Sequence, residues 1–324
     1  MAHAASGSAA AGVPWAGGEQ VDVDSLVQQL DTTGYIIVPN WISSVEVQRQ
    51  REAMEAVPVL RQHSPSHAPN GLTVRAHNLL GKTRECDHLA TDTRLLAVVQ
   101  GHLRDSIQFS ICTLMDILPG EESQRLHQDD AMYRMARPHM PLTVNTVIAL
   151  DDFTSTNGAT RIVPFSKDWG EDIDQDHGDG EAVPACCPAG SLIAWSGSAW
   201  HGGGANDSDS PRLALNFHYC LSWLKPQESQ VLGVDPAEVL TLSPQLQELL
   251  GYTGSVSMRS PMDVVADREA GKPRPWVHPQ AAVPGVSKSG APLPPDSSGA
   301  RIVASGPHKG AAQVGERGAG TSKL

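Results

Sequence analysis

The spacing of hydrophobic residues changes near Ser106 and divides the chain into a helical part and a strand-rich part. Before Ser106, apolar residues recur at helical intervals in three stretches: VDVDSLVQQLDTTG, SSVEVQRQREAMEAVPVL and TRLLAVVQGHL. In the first stretch Asp24 or Ser25 can cap a helix and Gly34 can end it, and YIIVP then predicts a short strand. We therefore expect the N-terminal part to be mainly helical.

After Ser106 the apolar residues form short β-branched or aromatic runs: SIQFSICTLMDIL, TVNTVIAL, TRIVPF, GSLIAW and RLALNFHYCLSWL. Turn-forming segments such as PGEE, STNG and PAG separate them. No helix of about a dozen residues lies between consecutive runs, which disfavours a parallel sheet. Helices followed by many short strands predict an α+β chain with a β-sandwich or barrel body. The late stretch from residue 227 to 252 again predicts helix.

Composition at the two ends predicts a single folded domain with disordered flanks. Residues 1–20 are rich in Ala, Gly and Ser, and they lack the basic start and apolar core of a signal peptide. Residues 271–324 are rich in Pro, Gly and Ala, are basic overall, and contain few large apolar side chains to bury. We expect disorder in both segments and a folded domain over residues 21–270.

The overall charge and the cysteines limit the possible partners. A net charge of -12 argues against nucleic-acid binding, which needs clustered Lys and Arg. No apolar run approaches the ~20 residues of a membrane span. The five cysteines are odd in number and form no C-x-x-C pair, so a disulfide framework or a structural zinc site is not expected. We predict a cytoplasmic monomer or homodimer without a nucleic-acid or membrane partner.

The segment RLHQDDAMYRM contains a histidine and two acids in close succession. If it is extended, His127 and Asp129 share one face and Asp130 points the other way. The first two residues can then offer an imidazole nitrogen and a carboxylate oxygen to the same point, while Asp130 is expected to cap a turn or meet a basic neighbour. Such short pairs also arise by chance, so a metal site needs a third ligand from elsewhere in the chain.

His201 is the candidate for that third ligand. Three glycines follow it, and they leave no side chains to crowd an imidazole or a bound ligand. Two histidines and one carboxylate form the triad that leaves positions open on non-haem Fe(II). Structural zinc sites are instead closed by four protein ligands. The residue types therefore favour iron and oxygen chemistry.

Arg212 begins the strand RLALNFHY, eleven residues after His201. Alternation places Arg212, Ala214, Asn216 and His218 on one face and apolar or aromatic residues on the other. A solvated outer face would explain this polar row. A polar barrel interior that holds an anionic cosubstrate would explain it equally well, because Arg offers a two-pronged donor to a carboxylate.

Three segments together resemble the phytanoyl-CoA dioxygenase family, in its branch that modifies small molecules and secondary metabolites: PGEESQRLHQDD, IALDDFTSTNGATRIVPFSKDW and the region from GSLIAW to SWLKPQESQ. The resemblance covers about residues 21 to 230. It implies a double-stranded β-helix (jelly roll, cupin-like) with N-terminal helices packed on the sheet. It also implies an oxygenase that requires Fe(II), 2-oxoglutarate and O2, and that hydroxylates or otherwise oxidises an unactivated C–H of a small molecule while 2-oxoglutarate is decarboxylated to succinate.

By position, the resemblance implies that the catalytic iron is held by His127, Asp129 and His201. It implies that 2-oxoglutarate is contacted by Arg212, Gln124 and Thr160. Some relatives carry Ser near the cosubstrate where this chain has Gly203, so Thr160 is a candidate for the missing hydrogen bond. Halogenating relatives lack the carboxylate that Asp129 supplies, which favours hydroxylation.

Two alternatives to an oxygenase stay open at the level of the sequence. A cupin-like metal protein with a non-oxidative activity could use the triad, but it would not need Arg212. A non-catalytic relative could bind iron or 2-oxoglutarate as a sensor. For the substrate, the segment from Ala131 to Met140 is expected at the pocket mouth, because its methionines and arginines could meet an amphiphilic or anionic molecule.

Overall fold

The computed structural model describes residues 21–57, 68–170 and 178–252. The segments predicted to be disordered, 1–20 and 271–324, lie outside these ranges. The helices are α1 (Val23–Thr33), α2 (Ser44–Ala56), α3 (Asp87–Ala90), α4 (Thr93–Leu103), α5 (Gln230–Gly233), α6 (Pro236–Val239) and α7 (Pro244–Leu249). The strands are β1 (Tyr35–Val38), β2 (Thr73–Ala76), β3 (Ile107–Ile117), β4 (Thr143–Ala149), β5 (Thr160–Ile162), β6 (Val183–Pro184), β7 (Leu192–Ser196), β8 (His201–Gly203) and β9 (Arg212–Leu221).

The strands form two antiparallel sheets. The larger has the order β1-β7-β4-β9-β3-β2, and the smaller has the order β6-β5-β8. Residues of both sheets line one cavity, so the sheets face each other across it. The antiparallel arrangement agrees with the absence of long helices between the strand sequences.

Alternation along β9 sends its two sets of side chains in opposite directions, as the sequence predicted. Leu213, Leu215, Phe217 and Tyr219 enter the large hydrophobic cluster, together with Leu30 of α1 and several residues of α4. The phenol of Tyr219 donates to the Ala90 carbonyl at 2.7 Å, which satisfies its one polar group in the core. The N-terminal helices therefore cover the outer face of the larger sheet and leave its inner face to the cavity.

A buried polar contact also fixes α1 and α4 on the sheet. The His102 ring is almost fully buried, with Nδ1 2.6 Å from a carboxylate oxygen of Asp31 and Nε2 3.2 Å from the Ser196 hydroxyl. Burial lowers the pKa of His102, so the neutral ring donates to Asp31 and accepts from Ser196. This arrangement connects α1, α4 and β7. Because Ser196 is buried like His102, the contact between them is closed to a substrate.

Two details of the predicted helices are corrected. Asp22, and neither Asp24 nor Ser25, caps α1 by accepting from the backbone N–H of Ser25 at 3.1 Å. The stretch 227–252 forms three short helices instead of a longer one. Prolines begin α6 and α7, and proline fits the first helical turn because its missing N–H is not needed there. Within the described ranges no helix is both long and apolar enough to cross a membrane.

Candidate active site

A cavity of about 150 Å³ lies between the two sheets. Strands β2, β3, β4, β7 and β9 supply one wall, and β5, β8 and the segment before residue 130 supply the other. The residues predicted to be ligands or cosubstrate contacts all line it: Gln124, His127, Asp129, Thr160, His201 and Arg212. The fold thus brings together side chains separated by up to 88 positions.

The imidazole and carboxylate groups of His127, Asp129 and His201 converge on one point. Backbone bonds of 2.8 and 2.9 Å join His127 and His201 in an isolated bridge that extends the smaller sheet. Nε2 of His201 lies 3.4 Å from one oxygen of Asp129, and Nε2 of His127 lies 3.9 Å from the other. One ligand atom from each residue can be chosen so that all lie within 4.8 Å of one another. This arrangement fits a metal ion.

The tautomers of both histidines also suit metal binding. Nδ1 of His127 lies 3.1 Å from the Arg125 carbonyl, and Nδ1 of His201 lies 3.0 Å from the Ala199 carbonyl. Because a carbonyl only accepts hydrogen bonds, both Nδ1 atoms carry a proton, and both Nε2 atoms are directed towards Asp129, where a metal ligand atom is needed. Burial lowers the pKa of His201 to about 4, and the nearby Asp129 carboxylate only partly opposes this shift. The ring is therefore neutral at pH 7, as a metal ligand must be.

Asp129 does not lie on a strand, which corrects the predicted backbone. The chain turns into a short 3-10 helix over Asp129–Tyr133, so only His127 has a strand-like partner. Burial alone would raise the pKa of Asp129, but the charge that the neighbouring imidazoles, His201 foremost, carry in acid and the hydrogen bond from Asn145 outweigh it and hold that pKa below its usual range. The carboxylate is ionised at neutral pH and available to a cation.

Asp130 points away from the cavity, as expected. One of its oxygens accepts from the Ser198 hydroxyl at 2.6 Å, and the other pairs with the Arg137 guanidinium. The side chain is fully buried, so these partners compensate its charge in the protein interior. Asp130 therefore has a structural environment that is distinct from that of Asp129.

Arg212 is buried at the end of the cavity where β9 begins. Its guanidinium stacks on the Phe153 ring at 4.1 Å and donates to the Gly158 carbonyl, while Nε is buried with no hydrogen-bond partner. Burial lowers the pKa of Arg212 to about 10, with Asp116 and Asp151 opposing the shift, so it is still a cation at pH 7. An unpaired donor on a buried cation is costly unless an anion joins it.

The interpretation of the β9 polar face as a solvated surface is wrong. Arg212, Asn216 and His218 are 2%, 5% and 1% exposed, and all three line the cavity. The polar row therefore lines the interior of the barrel. Of the two explanations that the sequence allowed, a polar interior that holds an anionic ligand is the one left.

Gln124 and Thr160 lie on the opposite wall, where both contact or face Gly203. The Gln124 side-chain oxygen accepts from the Gly203 N–H at 2.9 Å, and Thr160 is paired with Gly203 in the small sheet. A Cβ at position 203 would lie 3.1 Å from that Gln124 oxygen, closer than most such contacts. Glycine at this position therefore leaves space for the Gln124 amide.

Sequence reasoning missed Arg75, Asn145 and Trp195 as residues of the cavity, and it placed Asn216 and His218 on the polar face of β9 without giving either a role. Asn145 and Trp195 donate to one oxygen of Asp129, at 2.9 and 3.2 Å. The available signal was Asn145 itself, a polar residue within the otherwise apolar run TVNTVIAL. All of β4 is buried, so an amide there needs a partner.

The predicted position of residues 131–140 at the pocket mouth is not borne out by the cavity walls. Among the described residues that line the cavity, none comes from this segment. Met132 and Met140 are about half exposed, and the Tyr133 hydroxyl donates to the Lys225 carbonyl at 3.0 Å. The segment turns away because Asp129 starts a helical turn instead of continuing a strand.

Comparison with known proteins agrees with this geometry. The family described as phytanoyl-CoA dioxygenase (PhyH) matches residues 30–214, more than half of the chain. Dioxygenase cdmA of Talaromyces verruculosus is 28% identical over 252 residues, which cover 72% of this chain and 84% of that protein.

Two solved structures share the fold. SnoK, a non-haem alpha-ketoglutarate-dependent carbocyclase from nogalamycin biosynthesis, has a TM-score of 0.53 and 19% identity over 68% of this chain and 91% of SnoK. HygX of Streptomyces hygroscopicus, solved with nickel and 2-oxoglutarate bound, has a TM-score of 0.53 and 18% identity over 62% of this chain and 88% of HygX. The predicted α+β jelly roll is thus confirmed. With its matched family region and its triad in the barrel, the chain belongs to the phytanoyl-CoA dioxygenase family of Fe(II)- and 2-oxoglutarate-dependent oxygenases.

Proposed function

We propose that this dioxygenase hydroxylates, or otherwise oxidises, an unactivated C–H of a small organic molecule, with iron held by His127, Asp129 and His201. The main support for this proposal is that the three metal-ligand candidates line the same cavity as Arg212, a buried arginine whose Nε has no hydrogen-bond partner. A cupin-like protein with non-oxidative chemistry has no use for that arginine. An oxygenase needs it, because 2-oxoglutarate has a second carboxylate far from its keto acid group.

Iron, when bound, would activate O2. The reaction converts 2-oxoglutarate to succinate and CO2, and one oxygen atom is inserted into the substrate C–H bond. The protein contributes binding and orientation. Arg212 pairs with the far carboxylate of 2-oxoglutarate, and Gln124 and Thr160 contact the cosubstrate from the opposite wall. The two Nδ1–H donors keep the imidazoles of His127 and His201 turned toward the metal.

Arg75 is a further candidate contact for 2-oxoglutarate. It projects from β2 into the cavity, and its Nε is buried without a hydrogen-bond partner. Burial lowers the pKa of Arg75, while the carboxylates of Asp129 and Glu121 oppose that shift and favour the charged form. A second, partly buried cation in this cavity suits the carboxylate next to the keto group, at the end of the cosubstrate opposite to Arg212.

Replacing Arg75 with Met is therefore expected to raise the 2-oxoglutarate concentration needed for half-maximal turnover about tenfold. That factor corresponds to losing about 1.5 kcal/mol from one hydrogen bond to a charged group. Titration of succinate formation against 2-oxoglutarate measures it. Arg49→Met is the control, because Arg49 pairs with Glu46 and Glu85 away from the cavity. Equal half-saturation in both variants would contradict the role of Arg75.

The oxygenase function is tested by adding Fe(II) and 2-oxoglutarate to the protein without oxygen. A visible charge-transfer band is expected when 2-oxoglutarate chelates the iron. A screen of small molecules that accelerate succinate formation then identifies the substrate class. A missing band would favour the non-oxidative metal protein, and a band without any substrate-stimulated turnover would favour the non-catalytic sensor.

The cavity lining limits the class of substrate. Polar groups predominate, and Ile111, Met115 and Trp195 add apolar surface to the lining. These walls suit a small molecule that combines a carbon skeleton with hydrogen-bonding groups. The similarity in fold to SnoK, a carbocyclase from nogalamycin biosynthesis, supports the same class. A cytoplasmic location and a monomeric or homodimeric state stay predictions.

We also propose that residues 21–270 contain the complete catalytic domain. Truncation after Ala270 is expected to leave turnover and the melting temperature nearly unchanged, because residues 271–324 have few large apolar side chains to bury. Succinate assays and thermal melts of the shortened and full chains measure this. A loss of soluble protein on truncation would show that the basic tail stabilises the acidic domain.

A further inference from the structure

The two carboxylate oxygens of Asp129 have different surroundings. Oδ2 accepts hydrogen bonds from Nδ2 of Asn145 at 2.9 Å and from Nε1 of Trp195 at 3.2 Å. Oδ1 faces Nε2 of His127 at 3.9 Å, and no donor among the described residues contacts it. Two hydrogen bonds on one oxygen leave the other as the stronger electron donor to a cation. The surroundings therefore favour a carboxylate that binds metal through one oxygen.

The orientation of the Asn145 amide is determined by its neighbour Asn216. Nδ2 of Asn216 donates to the Thr146 carbonyl at 2.9 Å, and a carbonyl cannot donate in return. The same nitrogen therefore also donates to Oδ1 of Asn145. With its oxygen held in this way, Asn145 must direct its nitrogen at Asp129. The direction of each hydrogen bond follows from the one before it, starting at a main-chain carbonyl.

Both amides are buried on inward-facing positions of adjacent strands. Asn145 is 9% exposed and Asn216 is 5% exposed. Their neighbours on the same faces include Val147 and Ala214, which belong to a hydrophobic cluster. An amide at such a position is unfavourable unless its donors and acceptors are paired, and here each pairs with the other or with Asp129. Leu has the same branching as Asn and the same number of side-chain non-hydrogen atoms but no polar group, so an apolar residue of similar shape was available for packing alone.

We propose that Asn216 and Asn145 act in series as positioning residues that hold Asp129 in its metal-binding orientation. The inference rests on the metal site proposed above and assigns a role to two residues that do not touch the metal. Its consequence is that metal affinity depends on Asn216, although Asn216 contacts neither the ion nor any ligand. Groups that orient metal ligands typically change affinity about tenfold to a hundredfold when they are removed.

Mn(II) is the probe, because the EPR signal of the free ion reports binding to metal-free protein without turnover. Asn145→Leu is expected to raise the dissociation constant for Mn(II) about tenfold to a hundredfold. Asn216→Leu is expected to weaken binding in the same direction. Thr146→Val is the matched control: Thr146 neighbours Asn145 on the opposite face of β4 and donates to the Phe217 carbonyl at 2.6 Å. This control is expected to lower the melting temperature and leave Mn(II) affinity unchanged.

The double variant Asn145→Leu/Asn216→Leu distinguishes a relay from two independent structural roles. Residues acting in series predict that the double variant binds Mn(II) as weakly as Asn145→Leu alone, whereas independent effects add. Affinities of both single variants that equal the wild type would overturn the relay. If Asn145→Leu does not fold, Asn216→Leu and its control decide alone. A wild type that fails to bind Mn(II) would instead overturn the metal site on which the relay rests.

Discussion

Replacing Asp129 with Ala is expected to abolish Fe(II)-dependent succinate formation and to weaken Mn(II) binding by more than about a hundredfold. The lower bound follows because removing a group that only hydrogen-bonds to a metal ligand already changes metal affinity about tenfold to a hundredfold. Asp129 is the only carboxylate of the convergent group, and its negative charge is what an imidazole ligand cannot supply. His127→Ala and His201→Ala are expected to have the same effect on turnover.

The metal-free Asp129→Ala protein is expected to stay folded. The change leaves the donors of Asn145 and Trp195 without their acceptor, at about 1–3 kcal/mol for each buried group. It also removes a buried charge, which offsets part of that loss. A thermal melt without metal measures the net change, and Mn(II) titration below the melting temperature measures binding independently of it.

Asp130→Asn is the control for this prediction. It keeps the size of the side chain and weakens the pair with Arg137, so it is expected to lower stability and leave Mn(II) affinity unchanged. If Asp130→Asn lost Mn(II) binding while Asp129→Ala kept it, the assignment of the two neighbouring acids would be reversed. The two acids can be distinguished in this way because Asp130 is directed at Arg137 and Ser198 instead of the cavity.

The alternation of β9 could be predicted from the sequence because side chains alternate wherever a strand forms. The prediction correctly separated Arg212, Asn216 and His218 from the apolar face. It could not decide whether the polar face met solvent or a cavity. That depends on the smaller sheet, whose short strands β5 and β8 give little pattern of their own.

The surroundings of Asp129 show why the rest of the site escaped prediction. Asn145 and Trp195 lie directly opposite each other in the β4–β7 register, and only that register brings both donors to one oxygen. Strands β4 and β7 are not consecutive in the chain, so no hairpin turn between them fixes their register, and the local pattern of either strand does not reveal its partner. The turn at Asp129 also depends on a distant contact. The bridge to His201 fixes the position of His127, and the 3-10 helix begins two residues later at Asp129.

Arg212→Leu is expected to raise the 2-oxoglutarate requirement about tenfold to a hundredfold or more while leaving Mn(II) affinity nearly unchanged. A hydrogen bond to a charged group contributes about 1.5–3 kcal/mol, and each 1.4 kcal/mol corresponds to about a factor of ten. The substitution also leaves an anion facing an apolar side chain. Titrating succinate formation against 2-oxoglutarate gives the shift in half-saturation, and the thermal stabilisation that 2-oxoglutarate gives to Mn(II)-loaded protein provides a second measure without turnover.

Stability of the free protein separates this role from a structural one. The Arg212 cation is buried with an unpaired Nε, so an apolar replacement is expected to leave the melting temperature unchanged or higher without cosubstrate. Arg212→Lys keeps the charge and loses the two-pronged geometry, so its 2-oxoglutarate requirement should lie between those of the wild type and Arg212→Leu. Arg51→Leu is the control, because Arg51 pairs with Asp151 close to this strand and lies outside the cavity lining. An unchanged half-saturation in Arg212→Leu would remove the main support for 2-oxoglutarate as the ligand of this arginine.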